Sequence, residues 1–169
     1  MEKQEVISSK IIDRKKLPSM LAYWRFRGKK IVFTNGCFDL IHLGHIDYLS
    51  RAADQGDILV VGINTDDSVS RLKGPGRPIN SEQARARLMA SLFYVSAVVL
   101  FDEDTPFELI KAIQPDVLVK GSDYKAEEIV GYDIVMQKGG KVITLDFLEG
   151  YSTSGIVEKI RKDTDPFTI

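Results

Sequence analysis

Both histidines of the chain, His42 and His45, fall in one four-residue window directly after an apolar run. An imidazole can donate a hydrogen bond to a phosphate, and this spacing places both rings on one side of a helix start. Free backbone N–H groups and the helix dipole attract anions there. Gly36 lets the chain turn with its amides exposed, and Gly44 removes bulk between the two rings. The window therefore predicts a cradle for a triphosphate.

Two other interpretations of the histidines stay open on this evidence. A metal site is one, but the three-residue spacing, with only Asp39 and Asp47 nearby, is a poor zinc ligand set. A purely structural role is the other, since a histidine near a strand end is usually a satisfied polar residue. We predict no metal ligand from the protein.

The elements that must position this window alternate in type along the chain. Five short runs rich in β-branched residues are apolar on both faces, as buried parallel strands are: residues 30–35, 58–64, 98–101, 116–120 and 141–145. Between them, apolar residues recur at helical spacing in three sets: Ile46, Leu49, Ala52 and Ala53; Leu88, Leu92 and Val95; and Phe107, Ile110 and Ile113.

This alternation predicts an α/β fold, a Rossmann-like, doubly wound, five-stranded parallel sheet with strand order 3-2-1-4-5. In such a sheet the ligand crevice lies at the carboxyl ends of the strands. We expect an N-terminal helical extension at 1–28, with a helix around Leu17–Phe26, a main domain at 29–162 and a C-terminal tail at 163–169.

Composition limits the class of protein. The formal net charge is −1, so no general field attracts nucleic acid or anionic lipid, and any phosphate site must be local. One cysteine, Cys37, excludes an intramolecular disulfide and suits a reducing compartment. No run is long and apolar enough for a membrane helix or signal peptide. We expect a cytoplasmic protein with no nucleic-acid or membrane partner.

The run Gly36-Cys37-Phe38-Asp39-Leu40-Ile41-His42-Leu43-Gly44-His45 resembles the G-x-F-D-x-x-H-x-G-H signature of the cytidylyltransferase-like nucleotidyltransferase superfamily. Within it the chain is most similar, over about residues 17–162, to the adenylyltransferases of ADP-heptose synthesis. Further markers of the resemblance are the segments 34–39, 71–74, 77–78, 104–106, 118–124 and 149–154.

The resemblance implies transfer of an adenylyl group from ATP to D-glycero-β-D-manno-heptose 1-phosphate, with release of pyrophosphate, for lipopolysaccharide core precursors. ATP would be the co-substrate, with Mg²⁺ held mostly by substrate and water. Many full-length heptose enzymes carry a sugar kinase domain that this sequence lacks, so a separate kinase is expected upstream. A homodimer is also expected, with Phe93 and Tyr94 facing the partner.

The resemblance also assigns roles to residues. His42, His45 and Lys73 would be catalytic, with His45 at the α-phosphate, and Arg77 would bind substrate phosphate. The nucleotide contacts would be Gly36, Cys37, Phe38, Asp39, Gly44, Lys120, Gly121, Asp123, Ser152, Thr153 and Ser154.

Several of these residues have a second interpretation. The segment 152–154 also reads as a helix N-cap, and 120–123 as a strand-ending turn. Asp39 is expected to fix the loop or orient a substrate hydroxyl. Arg85 and Arg87 are expected to be surface or helix-pairing cations.

Departures from related branches narrow the choice of reaction. Glycerol-phosphate cytidylyltransferases carry an arginine where this chain has Phe147, and tend to have a lysine where it has Asp102. Transfer to glycerol 3-phosphate or phosphopantetheine stays open as an alternative, as does a non-catalytic nucleotide sensor. Activation of the tRNA synthetase type is disfavoured because the chain is short and has no net basic charge.

Overall fold

All five runs predicted as strands form strands, each within one residue of the expected bounds. In the computed structural model, which describes residues 2–123 and 125–163, they build one sheet in the order β3-β2-β1-β4-β5. Each neighbouring pair is parallel, which confirms the predicted topology. The strands are β1 Ile31–Gly36, β2 Ile58–Asn64, β3 Ala97–Phe101, β4 Val117–Gly121 and β5 Lys141–Leu145.

The helices of the described residues are α1 Lys3–Ser9, α2 Leu17–Phe26, α3 Leu43–Ala53, α4 Asp66–Lys73, α5 Glu82–Ser91, α6 Phe107–Ile113, α7 Tyr132–Gln137 and α8 Thr153–Asp163, with a 3-10 turn at Ala126–Glu128. The expectation that Leu92 and Val95 continue the helix of Leu88 was wrong. Leu92 has an extended backbone (φ −70°, ψ 127°) that ends α5, and Val95 is buried in the connection to β3. None of the helices within the described ranges is long and apolar enough to span a membrane.

Two hydrophobic cores lie on opposite faces of the sheet, as a doubly wound fold requires. Alternation of side chains along β1 sends Ile31 and Phe33 to the core shared with α2, α6 and α7, and Val32 to the core shared with α3 and α5. The strand β5 departs from the expected burial on both faces, because it is the edge strand and pairs only with β4.

The N-terminal segment packs onto this framework through both backbone and side chains. Its backbone bridges the outer edge of β3, where the Ile12 amide donates to the Val98 carbonyl and the Val98 amide to the Lys10 carbonyl, both at 2.8 Å. Leu21 and Trp24 of α2 are buried in the core. The helix predicted around Leu17–Phe26 is confirmed, whereas α1 was not foreseen. Of the expected tail, residues 164–169 lie outside the described residues.

The crevice opens where strand order reverses, between β1 and β4. Six residue pairs join β1 to β2. Only two, Val32 with Val117 and Phe33 with Leu118, are registered between β1 and β4. The carboxyl ends of β1 and β4 are therefore not held together by a continuous ladder, which leaves room for a ligand at the topological switch point.

Candidate active site

A cleft of about 510 Å³ lies above the carboxyl ends of β1, β2 and β4. Eight of the residues predicted for the site line it: Gly36, Cys37, Phe38, His45, Lys73, Lys120, Gly121 and Asp123. The remaining lining residues are Asn35, Tyr48, Asn64, Leu72, Asp104, Thr105, Pro106, Glu128, Ile129, Val130 and Phe147. A cleft of this size is ordinary for a small-molecule site.

The signature loop, residues 36–45, carries the two histidines into the first turn of α3. Their rings stack, with centroids 3.8 Å apart and planes at 22°. Phe38 contacts His45 edge-on, with centroids 5.3 Å apart. Gly44 makes the stacking possible, because a Cβ there would lie only 3.1 Å from Nδ1 of His42. The two imidazoles are thus brought together as predicted, and His45 is the one that reaches the cleft.

Both histidines are neutral at pH 7. Burial lowers the pKa of His42. Burial and then the neighbouring His42 lower the pKa of His45 to about 4, against a weaker opposing interaction with the Leu40 backbone. The Nδ1 atoms of both rings are buried and have no hydrogen-bond partner among the described residues. A neutral imidazole keeps one N–H donor, so each ring can donate one hydrogen bond but brings no positive charge.

Asp39 fixes the signature loop by hydrogen bonds to residues 77–80. It is 2% exposed, and its carboxylate accepts hydrogen bonds from the Arg77 Nε (2.7 Å) and from the Ile79 and Asn80 amides (2.8 Å each). The Asn80 side chain donates back to the Asp39 carbonyl at 2.7 Å. Burial alone would raise the pKa of Asp39, but these hydrogen bonds lower it, so the carboxylate is ionised. Of its two expected roles, the structure provides the loop-fixing one.

Arg85 corrects part of the sequence analysis, which expected a surface or helix-pairing cation: it pairs α5 with Asp66 of α4, but it is buried. It is 0% exposed, and its guanidinium donates to the Asn80 carbonyl (3.0 Å), the Cys37 carbonyl (2.7 Å) and the Asp66 carboxylate (2.7 Å). A buried charge needs this many partners. Phe38, next in the loop, has a φ of +47°, a strained value for a non-glycine residue that the surrounding bonds maintain. Arg87 is exposed, as expected.

The predicted cations occupy different positions. Lys73, the last residue of α4, lines the cleft. Lys120 also lines it, and burial lowers its pKa to about 8, with Asp123 and then Cys37 acting in the opposite direction. Arg77 is not a lining residue, because its Nε is paired with Asp39.

The segment 152–154 lies beside the signature loop rather than in the cleft lining. The Ser152 hydroxyl accepts from the Gly155 amide at 3.0 Å, as the predicted N-cap of α8 does. Thr153 Oγ1 donates to the Leu40 carbonyl at 3.5 Å. The start of α8 therefore faces the loop that carries the histidines.

Sequence reasoning did not assign six polar lining residues to the site: Asn35, Tyr48, Asn64, Asp104, Thr105 and Glu128. The Tyr48 hydroxyl and Thr34 Oγ1 are 2.8 Å apart and buried, and burial raises the Tyr48 pKa to about 12. Asn35 and Asn64 are the polar residues near the ends of β1 and β2, and that position alone could have flagged them. Phe147 covers Gly121 so closely that a Cβ there would lie 2.1 Å from its ring.

No group of three or more histidine, cysteine or acidic side chains that could hold a metal ion occurs within residues 2–123 and 125–163. The donor set therefore does not fit a resident metal held by protein side chains.

Comparison with known proteins identifies the family. A family model described as cytidylyltransferase-like matches residues 33–159. Curated relatives include the bifunctional protein HldE of Azorhizobium caulinodans, 53% identical over 89% of this chain, and that of Caulobacter vibrioides, 54% identical over 89%. The chain spans about a third of the length of these relatives, 32% and 31% respectively.

Two solved structures are similar to this chain. The lipopolysaccharide core biosynthesis protein from Thermoplasma volcanium has a TM-score of 0.62 and 30% identity, and the match covers 72% of this chain and 100% of that one. A pantoate-beta-alanine ligase from Francisella tularensis, with a TM-score of 0.57 and 16% identity over 90% of this chain and 77% of its own, shares the fold. On its signature loop, its sheet order and these matches, the chain belongs to the cytidylyltransferase-like family of nucleotidyltransferases.

Proposed function

We propose that the chain is an adenylyltransferase that joins ATP to D-glycero-β-D-manno-heptose 1-phosphate, giving ADP-heptose and pyrophosphate. The observation that carries the proposal is the pair of neutral, stacked histidines at the start of α3, beside a cleft that Lys73 also lines. The similarity to bifunctional HldE proteins and to a lipopolysaccharide core biosynthesis protein favours the heptose acceptor.

The reaction needs no general base. An oxygen of the sugar 1-phosphate, already anionic, attacks the α-phosphorus in line, and the bond to the β-phosphate oxygen breaks as pyrophosphate leaves. Catalysis then depends on placing the two substrates and stabilising the developing charge.

Neutral donors and a cation have different proposed roles in binding the phosphates. His45 donates a hydrogen bond to the α-phosphate without adding charge, and His42 assists from the stacked ring. Lys73 supplies a cation, and Mg²⁺ enters with ATP as part of the substrate. The loop amides from Gly36 and the start of α8 complete the phosphate site, while Gly121 and Asp123 serve the nucleoside. Arg77 as a phosphate ligand stays a prediction.

The proposal also covers the domain bounds, the cellular location and the oligomeric state. We place the N-terminal extension at 1–28, the transferase domain at 29–162 and the reaction in the cytoplasm, downstream of a sugar kinase on the same or another polypeptide. A homodimer is supported by Phe93, which is 91% exposed and stacks edge-on against Tyr94. Light scattering of the purified chain measures this directly.

A pyrophosphate-release assay tests the activity. ATP and CTP are crossed with heptose 1-phosphate, hexose 1-phosphates, glycerol 3-phosphate and phosphopantetheine, and reactions without acceptor serve as controls. We expect ATP with heptose 1-phosphate to give the highest kcat/KM, and acceptors lacking the sugar hydroxyls to fall by more than ~10²-fold, because polar groups of the site would be left unpaired.

Other outcomes of the grid would change the proposal. Preference for CTP would move the chain to the cytidylyl branch. ATP binding without turnover of any pair would indicate a nucleotide sensor.

A further inference from the structure

Two polar side chains meet the cleft on the face of the sheet opposite the histidines. Phe33 of β1 and Leu118 of β4 are in register and belong to the core of α2, α6 and α7. Two residues farther along each strand, alternation returns Asn35 and Lys120 to that same face. The histidines come instead from α3, which packs on the other face. The cleft therefore has two sides, one on each face of the sheet.

Asn35 and Lys120 are partly buried, and each carries a polar group without a partner among the described residues. Oδ1 of Asn35 is buried with no hydrogen-bond partner among the described residues. Lys120 lines the same cleft, and no hydrogen bond or ion pair joins its ammonium to a side chain of the described ranges; Asp123 acts on it only at longer range. Keeping such groups desolvated costs free energy that a bound ligand can recover.

We infer that Lys120 and Asn35 form the acceptor subsite, where the Lys120 ammonium binds the phosphate of a sugar phosphate and the Asn35 carboxamide binds a sugar hydroxyl. This rests on the proposed transferase reaction. In-line attack requires the acceptor to approach the α-phosphorus from the side away from the leaving pyrophosphate. With the triphosphate on the α3 side, the remaining side of the cleft is that of Lys120.

The neighbouring residues suit the rest of such a ligand. Glu128 also lines the cleft, and its carboxylate can accept hydrogen bonds from sugar hydroxyl groups. One cation beside a carboxamide and a carboxylate matches a phosphorylated polyhydroxy compound better than a second nucleotide phosphate. The resemblance to the family placed Lys120 among the nucleotide contacts, whereas its face of the sheet points to the acceptor.

The test compares Lys120→Met with Lys125→Met, a matched control because Lys125 is exposed, close in the chain and outside the cleft lining. We expect Lys120→Met to raise the KM for heptose 1-phosphate by about 10- to 100-fold, the loss of a hydrogen bond to a charged group. Calorimetry without acceptor should show ATP affinity within about 3-fold of wild type, and the control should match wild type in both measurements. Asn35→Asp, which places a negative charge on the same side of the cleft and repels phosphate, should also raise the acceptor KM.

Thermal unfolding checks that the variant is folded. Lys120→Met removes a partly buried charge that has no partner, so the Tm should stay the same or rise. Equal losses of ATP and acceptor affinity, or an unchanged acceptor KM, would overturn the inference. If the wild type turns over no sugar phosphate, the proposed function fails, and binding decides the inference. Calorimetric titration of sugar 1-phosphates into the ATP-loaded protein must then show binding that Lys120→Met loses; equal binding by both, or none by wild type, refutes the subsite.

Discussion

The polar groups that support the signature loop are bonded to one another, whereas several polar groups that line the cleft have no partner among the described residues. The first set, the support network, comprises Asp39, Arg77, Asn80 and Arg85. The second set, the cleft-facing groups, comprises Asn35, His45 and Lys120.

The difference separates scaffold from site. Satisfied polar groups rigidify a loop, and their bonds are formed in the absence of any ligand. Unsatisfied ones are costly for the folded chain and become favourable only when a substrate supplies the partner. Changes in the support network should therefore affect folding first, and changes in the cleft-facing groups should affect turnover or binding first.

The largest effect on stability is expected at Arg85. Replacing Arg85 with Met leaves Asp66 and the carbonyls of Cys37 and Asn80 without their partner. The free energy of unfolding should fall by about 3–5 kcal/mol. Urea denaturation measures it. Arg87→Met on the same helix is the control, since Arg87 is exposed and should change stability by less than about 0.5 kcal/mol. Similar effects of the two substitutions would contradict the support network.

The largest effect on turnover is expected at His45. His45→Ala should lower kcat by roughly 10²–10³, because one hydrogen-bond donor to the transition state is lost. ATP affinity and the free energy of unfolding should change much less. Steady-state kinetics with calorimetry separates these quantities, and Leu43→Ala, an exposed position in the first turn of the same helix, is the control. Near wild-type turnover by His45→Ala would show that His45 has no catalytic role.

A smaller effect follows from the pKa of His45, about 4 in the folded protein. An unfolded histidine titrates near 6.5, so between these values the unfolded state binds more protons and acid favours unfolding. The wild type should lose stability relative to His45→Ala as pH falls from 6.5 to 4, by about 1–2 kcal/mol after allowance for partial exposure. Thermal unfolding across this range measures the difference between the two proteins. A difference independent of pH would mean that His45 is not shielded from water.

Much of the architecture could be predicted from local pattern. Runs of β-branched residues marked all five strands to within one residue, and the histidine window after β1 marked one side of the cleft. Both predictions succeeded because a buried strand, like a loop that leads into a helix, depends on residues close together in the chain. The end of α5 at Ser91 and the partial exposure of β5 were missed, since local hydrophobicity does not say what covers an element.

The sequence by itself thus determined the sheet, its order and the pairing of the two histidines at the start of α3, while tertiary structure decided which polar residues support the loop and which have no partner. Arg85 was expected to be a surface or helix-pairing cation, yet it is buried, and one of its partners, Cys37, lies 48 residues away in the chain. Asp39 meets Arg77 across 38 residues. Lys120 and Asn35 share a face only because β4 lies beside β1 at the switch point. Burial and pairing of a charge are set by which distant segments pack together, and no local pattern of residue types encodes that.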